Sequence, residues 1–514
     1  MQSIKPALFL LLTTAPAFAQ TSVKDGHFLD PSVWDTGRVP PPGADVVIRD
    51  GTTVGLVPQG MSVEPVRLKS LRVEGTLTSS WPLGQGGEPV VLEVARFECP
   101  DGGAVLGEPS ASGPGGSIHI SYDDRFLPIG NQLEALEDGP YEFISHGTLA
   151  AGDGLDGGDV VIDYPGGRFE HCGLMVGGQG ARGGSVRVLA TVAENFQVGR
   201  ILGGPGGAGG GGSADLVVTT TAESDAALLI NMPGGRVAGG SSGGGPGGDA
   251  GLAAYDPFGR GADLFHDTPQ LPGETPAELL GGDGAEPGRA WIAARNGAVL
   301  GIVRGGADLT LDPELPAGDV HIAGQDLVLA ETCQIAGGAV VLRSEGSLFC
   351  GPFVGQPAIS AAQLELAAAP GALVDLGATL PGDVVCGSSA LFVGPGPLVL
   401  PLGTPPELLL PGLDAIGPGL FEPAARLTAT STAIARSAQD GAFDLRIDLH
   451  VGLAGTGPGL VEVLLLADPA LGLPPVVPVV VDVFDPAVDL RTSIELPLEA
   501  LLPAPSPLGL ELRV

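Results

Sequence analysis

Apolar residues in this chain come in short runs that alternate with polar positions, and two small residues stand before many of the runs. The pattern reads Gly115-Gly116-Ser117-Ile118-His119-Ile120, then Gly157-Gly158-Asp159-Val160-Val161-Ile162, then Gly183-Gly184-Ser185-Val186-Arg187-Val188. A looser copy starts at Gly211, and later ones start at Ala317, Gly337 and Pro381. Alternation with period two predicts strands, and the paired glycines predict a corner ahead of each. The starts are separated by 42, 26 and 28 residues, and further on by 20 and 44. Such spacing predicts stacked turns, with 42 and 44 as two turns each. One turn cannot bury its apolar face alone, so the turns must stack around a shared core. Helical periodicity is nearly absent. The expectation is an all-β chain with an irregular right-handed parallel β-helix over residues 111–423.

The two ends differ from this middle. Residues 1–19 read as a signal peptide, with Lys5, the apolar run Ala7 to Leu12 and the small-x-small site Ala17-Phe18-Ala19. The mature protein is therefore expected outside the cytoplasm, extracellular or at the cell surface, without a membrane span. Residues 20–110 predict a strand-rich N-terminal cap. Near the other end, Phe443, Leu445, Ile447 and Leu449 alternate with Asp444, Arg446, Asp448 and His450. That predicts half-buried strands, read as a small antiparallel β-sandwich over residues 424–514.

The N-terminal region has an ordered set of landmarks: Trp34, Gly37-Arg38-Val39-Pro40, Gly43-Ala44-Asp45-Val46-Val47-Ile48, Gly51-Thr52-Thr53-Val54, Leu71-Arg72-Val73-Glu74-Gly75-Thr76-Leu77 and Gly102-Gly103 with Gly107. This order resembles the eight-glycine extracellular domain of cell-surface hyaluronidase and fibrocystin proteins. It is also similar to the strand-rich start of bacterial autotransporter-type passenger proteins. The resemblance covers about residues 30–110 and implies that a parallel β-helix follows. It transfers no catalytic residue, because none of the hyaluronidases' catalytic motifs lies within it.

Charge narrows the partners. The net charge is -35 and only Lys5, Lys24 and Lys69 are lysines, so the surface repels nucleic acid. The same field argues against an acidic polysaccharide unless a local arginine cluster overrides it. Five cysteines cannot all pair within one chain. Cys172, Cys333 and Cys350 each precede a short apolar run ending in glycine, which suits small buried hydrophobes, although Cys333 and Cys350 would also be near enough in sequence to bridge.

Candidate chemistry is sparse. Residues 249–287 read as an insertion holding Tyr255, Asp256, Arg260, Asp263, His266, Asp267 and Glu274. Asp256, Arg260, His266 and Asp267 are the catalytic candidates if the protein is an enzyme, and Tyr255 with Arg260 are the ligand-binding candidates. Asp123-Asp124-Arg125 and Glu170-His171 are further acid-containing pairs. Asp153 and Asp156, in Gly152-Asp153-Gly154-Leu155-Asp156, nearly match half of a calcium-binding nonapeptide and point to calcium as cofactor. Nucleophile elbows and zinc spacings are missing. The expected role is a structural, adhesive or glycan-binding surface protein whose partner is an extracellular polysaccharide or another surface protein. The alternative is a polysaccharide-degrading hydrolase or lyase, which would gather two carboxylates with an Arg or His in one groove of the coil.

Overall fold

The computed structural model describes residues 19–393 apart from 59–64, 83, 85, 123–140, 222–223, 225, 268–273, 311–315 and 355–356, and beyond them only the backbone of strands between 398 and 513. Residues 1–18, nearly all of the expected signal peptide, and Asp123-Asp124-Arg125 lie outside the described residues.

Three parallel faces wind into a β-helix. In chain order, one turn contributes Val160–Asp163 to the first face, Arg168–His171 to the second and Leu174–Val176 to the third. The next turn lays Val186–Ala190, Val192–Asn195 and Arg200–Leu202 alongside them in register. Inward positions are apolar and fully buried, as with Val160, Ile162, Phe169 and Met175. Phe97, Phe143 and Phe169 occupy successive turns of the second face, with ring centroids 4.8 and 5.3 Å apart. Stacking of like side chains turn upon turn is what a common register imposes.

The register revises several expectations. Val160 pairs with Ile118, so the separation of 42 is one turn, lengthened between Ser121 and Glu142. The separation of 44 falls one face short of two turns: two turns on from Val340 is Ala390, whereas the run after Pro381 lies on the third face, where Val384 pairs with Ile359. Residues 20–110 are the first turns of the same coil: Gln20–Thr21, Ala44–Ile48, Val66–Val73, Val90–Cys99 and Ile118–Ser121 pair in parallel one after another. Residues 249–287 form a complete turn, with Ala250–Tyr255, Ala262–His266 and Glu278–Leu280 on the three faces. Longer corners within that turn diluted its alternation. At the C-terminal end, Ala425–Arg436, Phe443–Leu453 and Leu490–Pro497 form one antiparallel sheet. Gly459–Ala467, Val476–Val483 and Leu510–Arg513 form another.

The paired glycines have a specific duty. Where the chain leaves the third face and returns to the first, its two legs are zipped by backbone hydrogen bonds. Gly152 N–H donates to Gly116, Gly158 to Gly152, Gly178 to Gly158 and Gly184 to Gly178. The ladder continues through Gly204, Gly212, Gly240, Gly248, Gly282, Gly288, Gly306 and Gly318 to Gly338. A Cβ on Gly158, Gly178 or Gly184 would overlap a backbone atom of a neighbouring leg, so only glycine permits this approach. Beyond the zipper the loops project and bond to the next turn. Gly154 N–H reaches Gln179 O at 2.9 Å, Gly206 N–H reaches Ser241 O at 2.8 Å and Ser242 N–H reaches Asp283 O at 2.7 Å. The loops thereby form a continuous fin along the coil.

Candidate binding trough

The sequence-derived catalytic candidates are not brought together. Asp256 follows the first-face strand Ala250–Tyr255, and its side chain is 3% exposed. Burial would raise its carboxyl, but hydrogen bonds from Gly261 N–H, Arg260 N–H, Arg295 and Thr220 outweigh burial and hold it down to about 2. With its oxygens committed to four donors, Asp256 shapes the turn and has no proton to give. Arg260 donates to the Ser224 carbonyl at 2.5 Å. Tyr255 is exposed on the same corner.

His266 is inside the coil. Ser145, His171, Asn195, Asn231 and His266 are buried and in register on successive turns of the second face. Asn195 Nδ2 donates to Asn231 Oδ1 at 2.8 Å, and the Asn231 amide meets His266 Nδ1 at 3.2 Å. His266 Nε2 pairs with the Ile302 carbonyl at 2.9 Å, so it carries the hydrogen and Nδ1 accepts. Burial pushes both His171 and His266 down to about 4, so both are neutral. Asp267, also buried, has φ +77 and accepts the Ala277 N–H at 3.0 Å, seating the corner that leads to the third face. Glu170, beside His171 in sequence, points outward and pairs with Arg168 at 2.5 Å.

The carboxylates expected to hold calcium link neighbouring fin loops. Asp153 accepts Gln179 N–H at 2.7 Å, and Asp156 takes two hydrogen bonds from Arg182, at 2.8 and 3.2 Å. The Arg182 hydrogen bonds hold Asp156 below the usual carboxylate range. Among the described residues, no three His, Cys, Asp or Glu side chains converge as a metal site needs. All five cysteines are free thiols, Cys99, Cys333 and Cys350 being buried, so Cys333 and Cys350 do not bridge.

What the fold does build is a trough along the third face. One wall is the fin, with Ser241, Asp283 and Ala307, and the other is the corner loops, with Val198, Pro233 and Glu274. Three depressions of 420, 470 and 540 Å³ adjoin, sharing Val198 and Arg200 and then Arg236 and Glu278. The floor spans the strands from Ala104–Leu106 to Ile302–Arg304, roughly 30 Å at about 4.8 Å per strand. Glu278 and Asp283 meet Arg236 and Arg304 in the largest depression. Arg236 pairs with Glu278 at 3.5 Å, and Asp283 accepts Ala307 N–H at 2.8 Å.

A second cluster lies on the first face. Asp215, Gly251 and Trp291 are in register on successive turns. A Cβ on Gly251 would overlap the indole, so Trp291 lies over that glycine, one turn from Asp215. Burial, helped by the charge of Asp249, pushes the Asp215 carboxyl up to about 6. Asp249 is held by Arg289 through hydrogen bonds at 2.8, 2.8 and 3.3 Å. Neither the trough nor this cluster is visible in local sequence, because each joins residues several turns apart.

No protein-family model matches the chain, and no curated protein and no solved structure matches it.

Proposed function

We propose that the protein is an exported, non-enzymatic β-helix that acts as a surface scaffold and holds an extended glycan along the trough of its third face. The observation that carries this reading is the trough itself: a walled channel that follows the coil axis over successive turns and fits a polymer better than a small molecule. The signal-like N-terminus and the acidic surface support a place outside the cytoplasm. The commitment of Asp256, His266 and Asp267 to hydrogen bonds within the coil supports a binding role at the expense of catalysis by those residues. Affinity electrophoresis through gels containing single polysaccharides tests the proposal, and retention by at least one of them is expected.

A hydrolase remains the second reading, and it rests on the first-face cluster. A carboxyl that keeps its proton to about pH 6 beside a tryptophan, with Asp249 nearby, has the environment of a general acid. In that reading Asp215→Asn would abolish release of reducing ends from a polysaccharide.

A further inference from the structure

Along the faces of this coil, arginines are usually met by a carboxylate on an adjacent turn. Arg67 pairs with Glu93 at 2.7 Å, Arg96 with Glu142 at 3.2 Å, Arg168 with Glu194 at 2.6 Å and Arg289 with Asp249 at 2.8 Å. The floor of the trough breaks this habit. Arg200 stands directly opposite Arg236, and both are exposed. Like charges directly opposite one another destabilise a sheet. Arg236 has Glu278 on its far side at 3.5 Å, whereas on the other side of Arg200 the same position is Leu174. No carboxylate among the described residues forms an ion pair with Arg200.

The depression of 420 Å³ on that side is lined by Arg200, His146, Thr148 and Leu174, together with glycines, Ala104 and Val198, and no carboxylate lines it. The other two depressions of the trough both carry carboxylates, Glu274 and Glu278 in the adjoining one, which Arg200 also lines, and Glu278 and Asp283 in the other. Glu274 accepts a hydrogen bond from Gln197 and Glu278 pairs with Arg236, and both carboxylates would repel an anion from the adjoining depression toward the side that has none.

We propose that Arg200, with Arg236 one turn on, binds a carboxylate or sulfate group, and that the glycan held by the trough is acidic. This rests on the trough reading above and adds the chemical class of its ligand. The anion supplies the negative partner that Arg200 lacks among the described residues, and Thr148, two turns back in the same depression, offers a hydroxyl to a neighbouring sugar unit. Guanidinium groups suit this task because their planar donors match carboxylate and sulfate oxygens.

The test uses the full mature chain and three sets of oligosaccharides of equal length: a polyuronate, a sulfated glycan and a neutral glucan. Calorimetry on the parent, on Arg200→Gln and on Arg343→Gln, a first-face control, reads the affinities. Arg200→Gln is expected to weaken binding of the uronate or the sulfated oligomer by about tenfold and to leave Arg343→Gln at parental affinity. Rising salt weakens the same interaction. The thermal midpoint of Arg200→Gln stays level or rises, because the change removes a repulsion. If the neutral glucan binds as well as the acidic oligomers and Arg200→Gln changes neither, the trough reading stands and the anion site is overturned. If no oligomer binds, the trough reading falls and the anion site falls with it. A uronate monomer that binds as tightly as its oligomer would overturn the polymer and leave a free-anion site.

Discussion

Gly158 donates its N–H to the Gly152 carbonyl at 2.9 Å, and Gly178, one turn later, donates to Gly158 at 2.8 Å. This relationship, repeated along the coil, makes paired glycines the signature of the chain. The two legs of each fin loop come too close for any side chain. Gly184→Ala would drive a methyl group into the Gly158 carbonyl, and the legs would have to separate. The expected loss is about 3 kcal/mol or more, read as a lower midpoint in thermal or denaturant unfolding. Gly243→Ala is the control: its added Cβ meets nothing within 4 Å, and its effect should stay within about 0.5 kcal/mol.

The buried histidines make stability depend on pH. His171 and His266 protonate near pH 4 in the folded protein but near 6.5 when unfolded. Between those values the unfolded chain binds more protons, so stability is complete above about pH 6.5 and falls as the pH drops toward 4. Each histidine contributes roughly 3 kcal/mol to that fall. Replacing both by Asn, the residue that fills the same ladder position at Asn195 and Asn231, should flatten the dependence. Thermal midpoints measured from pH 7 to pH 4 check this.

Asp215 acts with the opposite sign. Its folded carboxyl titrates at about 6, against 3.8 for an unperturbed aspartate. Above pH 6 the ionised form is therefore a burden on the fold, relieved on acidification. Asp215→Asn should stabilise the protein at pH 8 by roughly 2 kcal/mol, and the gain should vanish by about pH 4. Equal midpoints for the two proteins at pH 8 would show that Asp215 is not desolvated in this way.

Thiol accessibility follows the radial position of each cysteine. Burial pushes Cys99 and Cys350 up to about 12 and raises Cys333 as well. Cys172 and Cys386 are half-buried. In the native protein a thiol reagent such as dithionitrobenzoate should titrate Cys172 and Cys386 alone, and all five should react in denaturant. Fewer than five reactive thiols in denaturant without reductant would indicate a disulfide.

The alternation of single strands was legible in the sequence, and so was the side on which a residue falls. His119 and His321 stand between apolar neighbours in their strands, and both are exposed. The glycine pairs were legible because the absence of a Cβ leaves a compositional trace. What the sequence hid was register. His171 to Asn195, Asn195 to Asn231 and Asn231 to His266 are steps of 24, 36 and 35 residues, since the corners vary in length from turn to turn. A ladder with such uneven steps has no period to detect. The same variation hid the Arg200–Arg236 pair, 36 residues apart, and the Trp291–Gly251 stack, 40 apart. It also made a complete turn, residues 249–287, resemble a loop.

Under the proposed function the trough holds a glycan without cleaving it. The most direct measurement incubates the purified mature protein with a polysaccharide panel and follows retention together with release of reducing or unsaturated ends. Retention of a polymer with no new ends, reduced by Arg200→Gln, is the predicted result. Release of new ends that is lost in Asp215→Asn would contradict it and make the first-face cluster an active site.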